Sequence, residues 1–322
     1  ITDKLRLGIR LDYQGVREDN YNLNDRDAED RTDHRFAVRG ELIWLPSDRF
    51  YTLFGFQYQK LLRDDEEDGV LEPEDWRLRE AYGYVRDVGI GGLDLQVGRQ
   101  DFDEDREWIY DELLDAVRSN YSLGDWSLEL SASTVLADGS PRNEATDNFI
   151  GYLSRTNDDT HLAAYVVDRR SDILDEYPIH FGVRALGEWI PDNEVWLEGS
   201  LLRGYNDTTD LRGWGMDVGT TWSPGFLDPL YFNVGYAYGS GDPSPDDDRD
   251  ERFRQTGFQD NTDKLGGVTS YKYYGELMNP ELSNLGVLTL GIGARLGKRN
   301  SLDLVYHEYR QAEAEAFQFN TD

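Results

Sequence analysis

The sequence predicts an all-β chain folded as a transmembrane antiparallel β-barrel, and three observations predict it. Apolar and polar residues alternate with a period of two along most of the chain. Aromatic residues close the apolar faces at strand ends, and long acidic loops alternate with tight turns.

The first strand sets the pattern. In DKLRLGIRLDY, Leu5, Leu7, Ile9, Leu11 and Tyr13 share one face, and Arg6, Arg10 and Asp12 take the other. A soluble sheet turns such an apolar face to a core, whereas a membrane barrel turns it to lipid and keeps its arginines inside. HRFAVRGELIW repeats the pattern with Phe36, Val38, Leu42 and Trp44 against Arg35, Arg39 and Glu41. IHFGVRALGEW sets Ile179, Phe181, Val183 and Trp189 against His180, Arg184 and Glu188. WGMDVGTTW, LYFNVGYAY and LTLGIGARL continue it, with Asp217, Asn233 and Arg295 on their polar faces. Tyr13, Trp44, Trp189, Trp222 and Tyr238 close their apolar faces, as a girdle at a bilayer interface does.

Strands are expected near 3–16, 33–45, 51–61, 77–86, 93–101, 110–121, 126–136, 148–157, 160–170, 177–190, 194–204, 211–223, 229–240, 286–297 and 301–313, about fifteen in all. SYKYYGELMNP is assigned to one long loop over 241–285, because counting it as a strand would put the short turn KRN on the long-loop side. That loop either folds into the lumen or extends a strand above the membrane. The whole of 1–322 reads as one barrel domain. Bacterial barrels have even strand numbers, so the odd count and the final AEAEAFQFNTD imply at least one further strand, in a barrel of roughly 16–18. The chain opens on Ile1 without a signal peptide and reads as a processed or trimmed product.

Composition supports strands over helices: aromatic residues make up 13%, glycine is abundant at 32 and methionine is scarce at 2. Cysteine is absent, which excludes a disulfide framework, a thiolate metal site and a cysteine nucleophile. No run approaches the roughly 18 apolar residues of a spanning helix. The net charge of −31 excludes nucleic acid as a partner, since a phosphate backbone requires a basic footprint.

LDLQVGRQDFDED followed by YDELLDAVRSNY resembles a strand pair of the alginate export family of outer-membrane proteins. FRQTGFQDN, GELMNPELSNL and LDLVYHEYR resemble its later part, in the same order. The resemblance implies a monomeric barrel of about eighteen strands in the Gram-negative outer membrane, with an arginine-rich constriction that passes an anionic uronate polysaccharide. Glu80, Arg99, Gln100, Arg118, Glu276 and His307 fall on the family's pattern. Arg99 conflicts with strict alternation from Leu93, Leu95 and Val97, which points it to lipid, so a bulge or a position above the membrane is required.

The pore-lining expectation covers Arg6, Arg10, Arg35, Arg39, Glu41, Glu80, Arg99, Arg118, Arg184, Glu188, Asp217, Arg295 and His307, with Lys272 and Glu276 as candidates for a loop gate. Asp12, Glu129 and Asp303 add inward carboxylates. Arginine rings lower the cost of moving an anion through a narrow lumen, and opposing carboxylates keep binding from becoming a trap. The bland alternative is a wall of salt bridges. The expected function is therefore passive diffusion of an alginate-like polysaccharide or related polar solute. The alternatives are a general or small-molecule porin and a plugged barrel that binds or adheres through its loops.

Lipid, lipopolysaccharide and periplasmic export machinery are the expected partners of such a barrel. No cofactor is expected. The acidic runs NLNDRDAEDR, RDDEEDGVLEPED and DPSPDDDRDE offer carboxylates to divalent cations such as calcium, although none has EF-hand spacing. The chain lacks GxSxG, HExxH, a Walker loop and a GxGxxG helix start, and His34, His161, His180 and His307 lie on separate strands, so no enzyme is expected.

Overall fold

The computed structural model describes residues 4–19, 30–65, 69–134, 136 and 146–314. The chain forms β1 (Leu5–Glu18), β2 (Arg31–Ser47), β3 (Phe50–Asp65), β4 (Gly69–Leu71), β5 (Glu74–Val85), β6 (Leu93–Asp103) and β7 (Asp111–Leu123). It continues through β8 (Trp126–Thr134), β9 (Thr146–Asn157), β10 (Thr160–Ser171), β11 (Glu176–Ile190), β12 (Asn193–Asn206), β13 (Thr209–Leu211) and β14 (Trp214–Trp222). The last are β15 (Leu230–Gly239), β16 (Arg249–Asp250), β17 (Thr262–Asp263), β18 (Tyr271–Lys272), β19 (Leu285–Arg295) and β20 (Ser301–Gln311).

The fifteen strands of nine residues or more fall one for one on the expected ranges; the other five are of two or three residues. The expected strand at 211–223 is split, with β13 pairing with β12 and, in parallel, with β16. Within 270–280 only Tyr271 and Lys272 are extended, paired with β17. β15 pairs directly with β19, so 241–284 joins two neighbouring strands. Several tight connections carry an aspartate in the left-handed region, Asp87 (φ 53), Asp175 (φ 54), Asp192 (φ 65) and Asp207 (φ 50) among them, where a short side chain that bonds its own backbone is tolerated.

Two compact units are present. The first is 1–101 with 115–117, and the second is 102–114 with 118–322. In the first, β1, β2, β3 and β5 form antiparallel ladders, with Leu7 opposite Leu42 and Arg10 opposite Arg39. Leu7, Ile9 and Leu11 are 56%, 70% and 75% exposed, and none of the described residues forms a second layer over them. Trp44, Phe54, Phe56 and Trp76 extend the same apolar surface.

The second unit reverses the burial of a soluble protein. Leu130, Phe149, Phe181, Val183, Leu197, Val218, Val234 and Leu290 are exposed, while Ser131, Asn148, His180, Arg184, Glu198, Asp217 and Asn233 are buried. An exposed apolar face of this extent belongs in hydrocarbon. What buries the polar face is the segment 241–284 together with 104–110. At the long-loop end of the strands, Phe253 N and Asn284 N both bond Ser240 O. At the turn end, Val268 N bonds Ser301 Oγ, and Arg295 Nε bonds Gly266 O at 2.7 Å. The segment therefore runs the height of the wall.

Candidate functional site

The polar face of the second unit is organised by one row of facing residues. Arg184 of β11 stands opposite Glu198 of β12, which stands opposite Asp217 of β14. Arg184 Nη2 lies 2.7 Å from Glu198 Oε1 in an ion pair. Two carboxylates then face each other across β12 and β14, a destabilising arrangement unless a cation joins them. Arg106, from the loop after β6, is that cation. Its Nη2 meets Asp217 Oδ2 at 3.0 Å, its Nη1 meets Asp263 Oδ2 at 2.9 Å, and its Nε lies 3.9 Å from Glu198 Oε1. Glu104 of the same loop pairs with Arg184.

Aromatic groups seal this layer. Trp196 Nε1 donates to Asp217 Oδ1 at 2.7 Å, Tyr274 OH donates to Asp217 Oδ2 at 2.9 Å, and Trp108 Nε1 donates to Tyr274 OH at 2.8 Å. The Arg106 guanidinium lies 4.4 Å from the Trp196 ring centroid and 4.6 Å from that of Tyr273. Trp196 reaches Asp217 by lying over Gly219, where any Cβ would collide with the indole. Burial pushes the Glu104 carboxyl up, but Arg184 and the backbone amides of Arg106 and Ile109 outweigh it and hold the group below the usual range. Burial opposes the Arg106 charge, and Asp217, Tyr273, Asp263 and Glu198 more than restore it.

This layer separates two cavities. On the long-loop side, about 620 Å³ is lined by Arg169, Arg252 and Arg254 with Glu176 and Glu281, and by neutral polar groups including His180 and Asn206. On the turn side, about 550 Å³ is lined by six carboxylates, those of Asp105, Asp158, Asp159, Glu188, Glu194 and Asp263, against Arg106, Lys264 and Arg295.

The expected site residues divide between the units. In the first, Arg6, Arg10, Arg35, Arg39 and Glu41 share the face opposite Leu7 and Ile9. Arg10 Nε bonds Asp12 Oδ1 at 2.7 Å, whereas Arg39 Nε is buried with no hydrogen-bond partner among the described residues. Glu80 is partly buried beside Asp101 and Glu41. Arg99 is buried and bonds Asp115 Oδ2 at 3.2 Å. Strict alternation would have turned it to lipid, and the correction lies at Gly98, whose φ of 126 breaks the pleat between exposed Val97 and buried Arg99 and Gln100.

In the second unit, Arg118 pairs with Glu129, and its guanidinium lies 4.6 Å from the Phe102 ring centroid. Arg184 and Asp217 meet in the buried row. Arg295 and His307 are on the polar face, His307 Nδ1 lying 3.0 Å from Thr289 Oγ1. Glu188 lines the turn-side cavity from the end of its strand. The register shifts between Gly187 and Ile190, so Glu188 is exposed at the strand end, and its Oε1 accepts from the Asp192 amide in the turn. Lys272 bonds Asp260, and Glu276 Oε2 accepts from the Lys272 amide at 2.9 Å. Sequence reasoning missed Glu104, Arg106, Trp108, Glu198, Asp263 and Tyr274. Glu198 alternates with Leu197 and was open to the same reading as Arg184; the others sit in loops or, for Asp263, in a two-residue strand, where no period marks them.

Most of the first acidic run, and part of the second, lie outside the described residues. In the third, the Asp250 carboxylate is taken by Arg252 and Arg254, and those of Asp242 and Asp247 accept from the amides of Ser244 and Arg249. Burial raises the Asp250 carboxyl, but the two arginines hold it below the usual range. Elsewhere the carboxylates of Glu107, Asp111 and Asp260 converge within 4.8 Å. Burial, then Asp111 and Asp260, push Glu107 up to about 7, and Lys272 supplies a cation to Asp260.

Three comparisons agree with this architecture. The chain is 34% identical over 106 residues to the alginate production protein AlgE of Azotobacter vinelandii, covering 33% of this chain and 21% of that protein. It is 35% identical over 102 residues to the protein of the same name from Pseudomonas aeruginosa, covering 31% and 20%. The match thus spans about a fifth of these relatives' length. In structure it is similar to OmpT, an outer membrane protein of Vibrio cholerae, with a TM-score of 0.55 at 11% identity, covering 99% of this chain and 96% of that one. The fold is that of an antiparallel outer-membrane β-barrel, and the chain localises to the Gram-negative outer membrane. A family model described as alginate export matches residues 5–319, and the chain belongs to that family.

Proposed function

We propose that the chain forms an outer-membrane channel that passes an anionic, alginate-like polysaccharide or related polar solute by passive diffusion. One observation carries the reading: Arg6, Arg10, Arg35 and Arg39 share one face of the β1–β2 ladder, with Arg10 directly opposite Arg39. Only Asp12 and Glu41 accompany them along this stretch. Folding gains nothing from like charges placed opposite each other. A row of guanidinium groups, on exposed Arg6, Arg10 and Arg35 and half-buried Arg39, suits repeated, weak, bidentate capture of carboxylates moving past, with the two acids limiting residence.

The segment 241–284 acts as the gate of this reading. Lys272 and Glu276 fasten it to itself through Asp260 and the Lys272 backbone, and Arg106 fastens it to the wall through Asp263. Lipid and lipopolysaccharide surround the barrel, and a periplasmic export apparatus delivers the polymer. A second reading, a general porin, is favoured by the six carboxylates of the turn-side cavity. A third, a plugged barrel acting through its loops, is favoured by the sealed layer between the cavities.

Recordings of the full chain in planar bilayers under a salt gradient separate the three. The channel reading expects a reversal potential on the anion side that moves toward zero when Arg10 and Arg39 become glutamine. Cation preference in the wild type would support the general porin, and the absence of any conductance would support the plug.

A further inference from the structure

At the long-loop end of the second unit, the face turned away from the buried row carries arginines among its apolar groups. Arg170 of β10, Arg212 just after β13 and Arg310 of β20 are exposed there, each with a carboxylate two residues earlier on its own face. Those carboxylates hold them: Asp168 takes Arg170 at 2.6 Å, Asp210 takes Arg212 at 2.7 Å and Glu308 takes Arg310 at 2.6 Å. Arg203 of β12 differs. It is exposed, its neighbours on the same face are exposed Leu201 and Tyr205, and no carboxylate pairs with it among the described residues. Its Nη1 donates to the carbonyls of Leu202 at 2.6 Å and Gly213 at 3.4 Å, and its guanidinium makes no other hydrogen bond among the described residues.

The register sets a second cation beside it. Leu201 is opposite Trp214, Gly204 is opposite Leu211, and the Leu202 amide bonds the Gly213 carbonyl between them. Arg203 therefore stands opposite Arg212. Two guanidinium groups face each other with the single carboxylate of Asp210, which Arg212 holds, while Ile179 flanks Arg203 on the other side. Like charges directly opposite destabilise a sheet, and a wall that faces lipid lacks the water that would screen them. The pair calls for an anion from outside the chain.

Depth selects the anion. The rings of Tyr177 and Tyr205 lie 4.7 Å apart and those of Trp214 and Tyr238 lie 4.9 Å apart, so the arginine pair is level with an aromatic girdle. Further from the long-loop end, the same face shows exposed Phe181, Val183 and Leu197. A girdle marks the level of lipid headgroups, and the long-loop end of an outer-membrane barrel looks outward. We propose that Arg203 and Arg212 form a docking site on the lipid-facing wall for a phosphate monoester of the outer-leaflet glycolipid, the lipid A of lipopolysaccharide. Each guanidinium donates to phosphate oxygens, and the acyl chains run over Leu201, Phe181 and Val183. A phosphate monoester carries a charge of about −1.5 to −2 at neutral pH and so matches two guanidinium groups, whereas a phosphodiester lipid brings a single charge. This rests on the outer-membrane placement of the barrel and not on the identity of its solute.

The test titrates the full chain in detergent, with a chelator present to remove bridging divalent cations, and counts retained lipid by native mass spectrometry. The probes are bisphosphorylated lipid A, the same lipid A with its phosphates removed, and phosphatidylglycerol. Bisphosphorylated lipid A is expected to bind at least tenfold tighter than either of the others. Arg203→Gln should weaken it about tenfold and Arg203→Gln with Arg212→Gln further still. The control Arg155→Gln, on an exposed arginine paired with Asp125 at the turn end of the wall, should leave it unchanged. Heat-modifiable mobility on gels and strand content by circular dichroism confirm that each variant is folded. Equal binding of the three probes, or wild-type lipid A affinity in the folded double variant, overturns the site. The bilayer reversal potential is a separate readout. Loss of lipid A binding with anion preference intact removes only this inference, whereas cation preference removes the transport reading and leaves this site standing.

Discussion

Arg10 and Arg39 are direct partners in the β1–β2 ladder, and neither strand offers a carboxylate at that pair. Asp12, two residues along β1, takes Arg10, and Arg39 Nε has no hydrogen-bond partner among the described residues. Replacing Arg39 by glutamine should therefore separate two quantities that usually fall together. Anion preference should drop, because the row loses a cation. Resistance to unfolding should rise by up to about 1 kcal/mol, because the like-charge pair is gone, with solvent screening keeping the gain small. Reversal potentials and urea unfolding of the same preparation check both signs, and a variant that is less stable as well as less selective would contradict the argument.

Arg106 makes a contrasting case, since it holds Asp217, Asp263 and Glu198 together on a buried face. Arg106→Met leaves Asp217 buried opposite Glu198 without its cation, Glu198 keeping Arg184, and loss of one partner from such a group costs about 3–5 kcal/mol. A second change, Asp217→Asn, should return part of that loss. The same single variant should raise open-channel conductance, because Arg106 bridges the wall to the segment dividing the cavities. Thermal unfolding and single-channel amplitude measure the two effects separately.

Most of the fold was legible because it depends on a period. Leu7 and Ile9 alternating with Arg6 and Arg10 fixed the faces of β1, and the same rule located Arg184, Asp217 and Arg295 on the polar side. The sequence was silent where no period operates. Arg106 and Trp108 lie in a seven-residue connection, and Asp263 and Tyr274 in the long segment that packs against the wall, so their meeting is a matter of tertiary structure alone. Arg99 and Glu188 sit where the ladder is irregular. A positive φ at Gly98 turns the first inward, and a register shift beside Gly187 sets the second at the strand end, where it still lines the turn-side cavity.

Gly98 gives a test of that reading of β6. Its φ of 126 is a region that only glycine adopts freely, and an added Cβ would run into the Ala81 carbonyl on β5. Gly98→Ala is expected to cost about 1–3 kcal/mol through backbone strain. If the pleat regularises instead, Arg99 turns toward lipid and its bond to Asp115 is lost. Unfolding midpoints of Gly98→Ala and of the double variant Gly98→Ala with Arg99→Leu distinguish these responses. The second replacement should restore stability only where Arg99 has been forced outward.

The contact between the loop after β6 and the long segment should respond to pH through Glu107. The backbone amides of Asp260 and Asn261 donate to the Glu107 carbonyl at 3.0 and 3.1 Å, so the peptide that carries this side chain also anchors the segment. Burial is the largest influence on its carboxyl, followed by the charges of Asp111 and Asp260. Together with Asp103 they outweigh a hydrogen bond from Thr262 and push it from 4.5 up to about 7. A carboxyl raised in this way favours the docked state while protonated. The stabilisation is complete below the ordinary value of 4.5 and is lost as pH rises through about 7, where the docked group must ionise among like charges. Hydrogen exchange at Asp260 and Asn261, corrected for the intrinsic rise in rate with pH, should therefore accelerate between about 4.5 and about 7. Glu107→Gln, neutral throughout, should flatten the profile at the protected level. If that variant keeps the wild-type pH dependence, the proton resides elsewhere, with Asp111 and Asp260 the remaining carboxyls of the cluster.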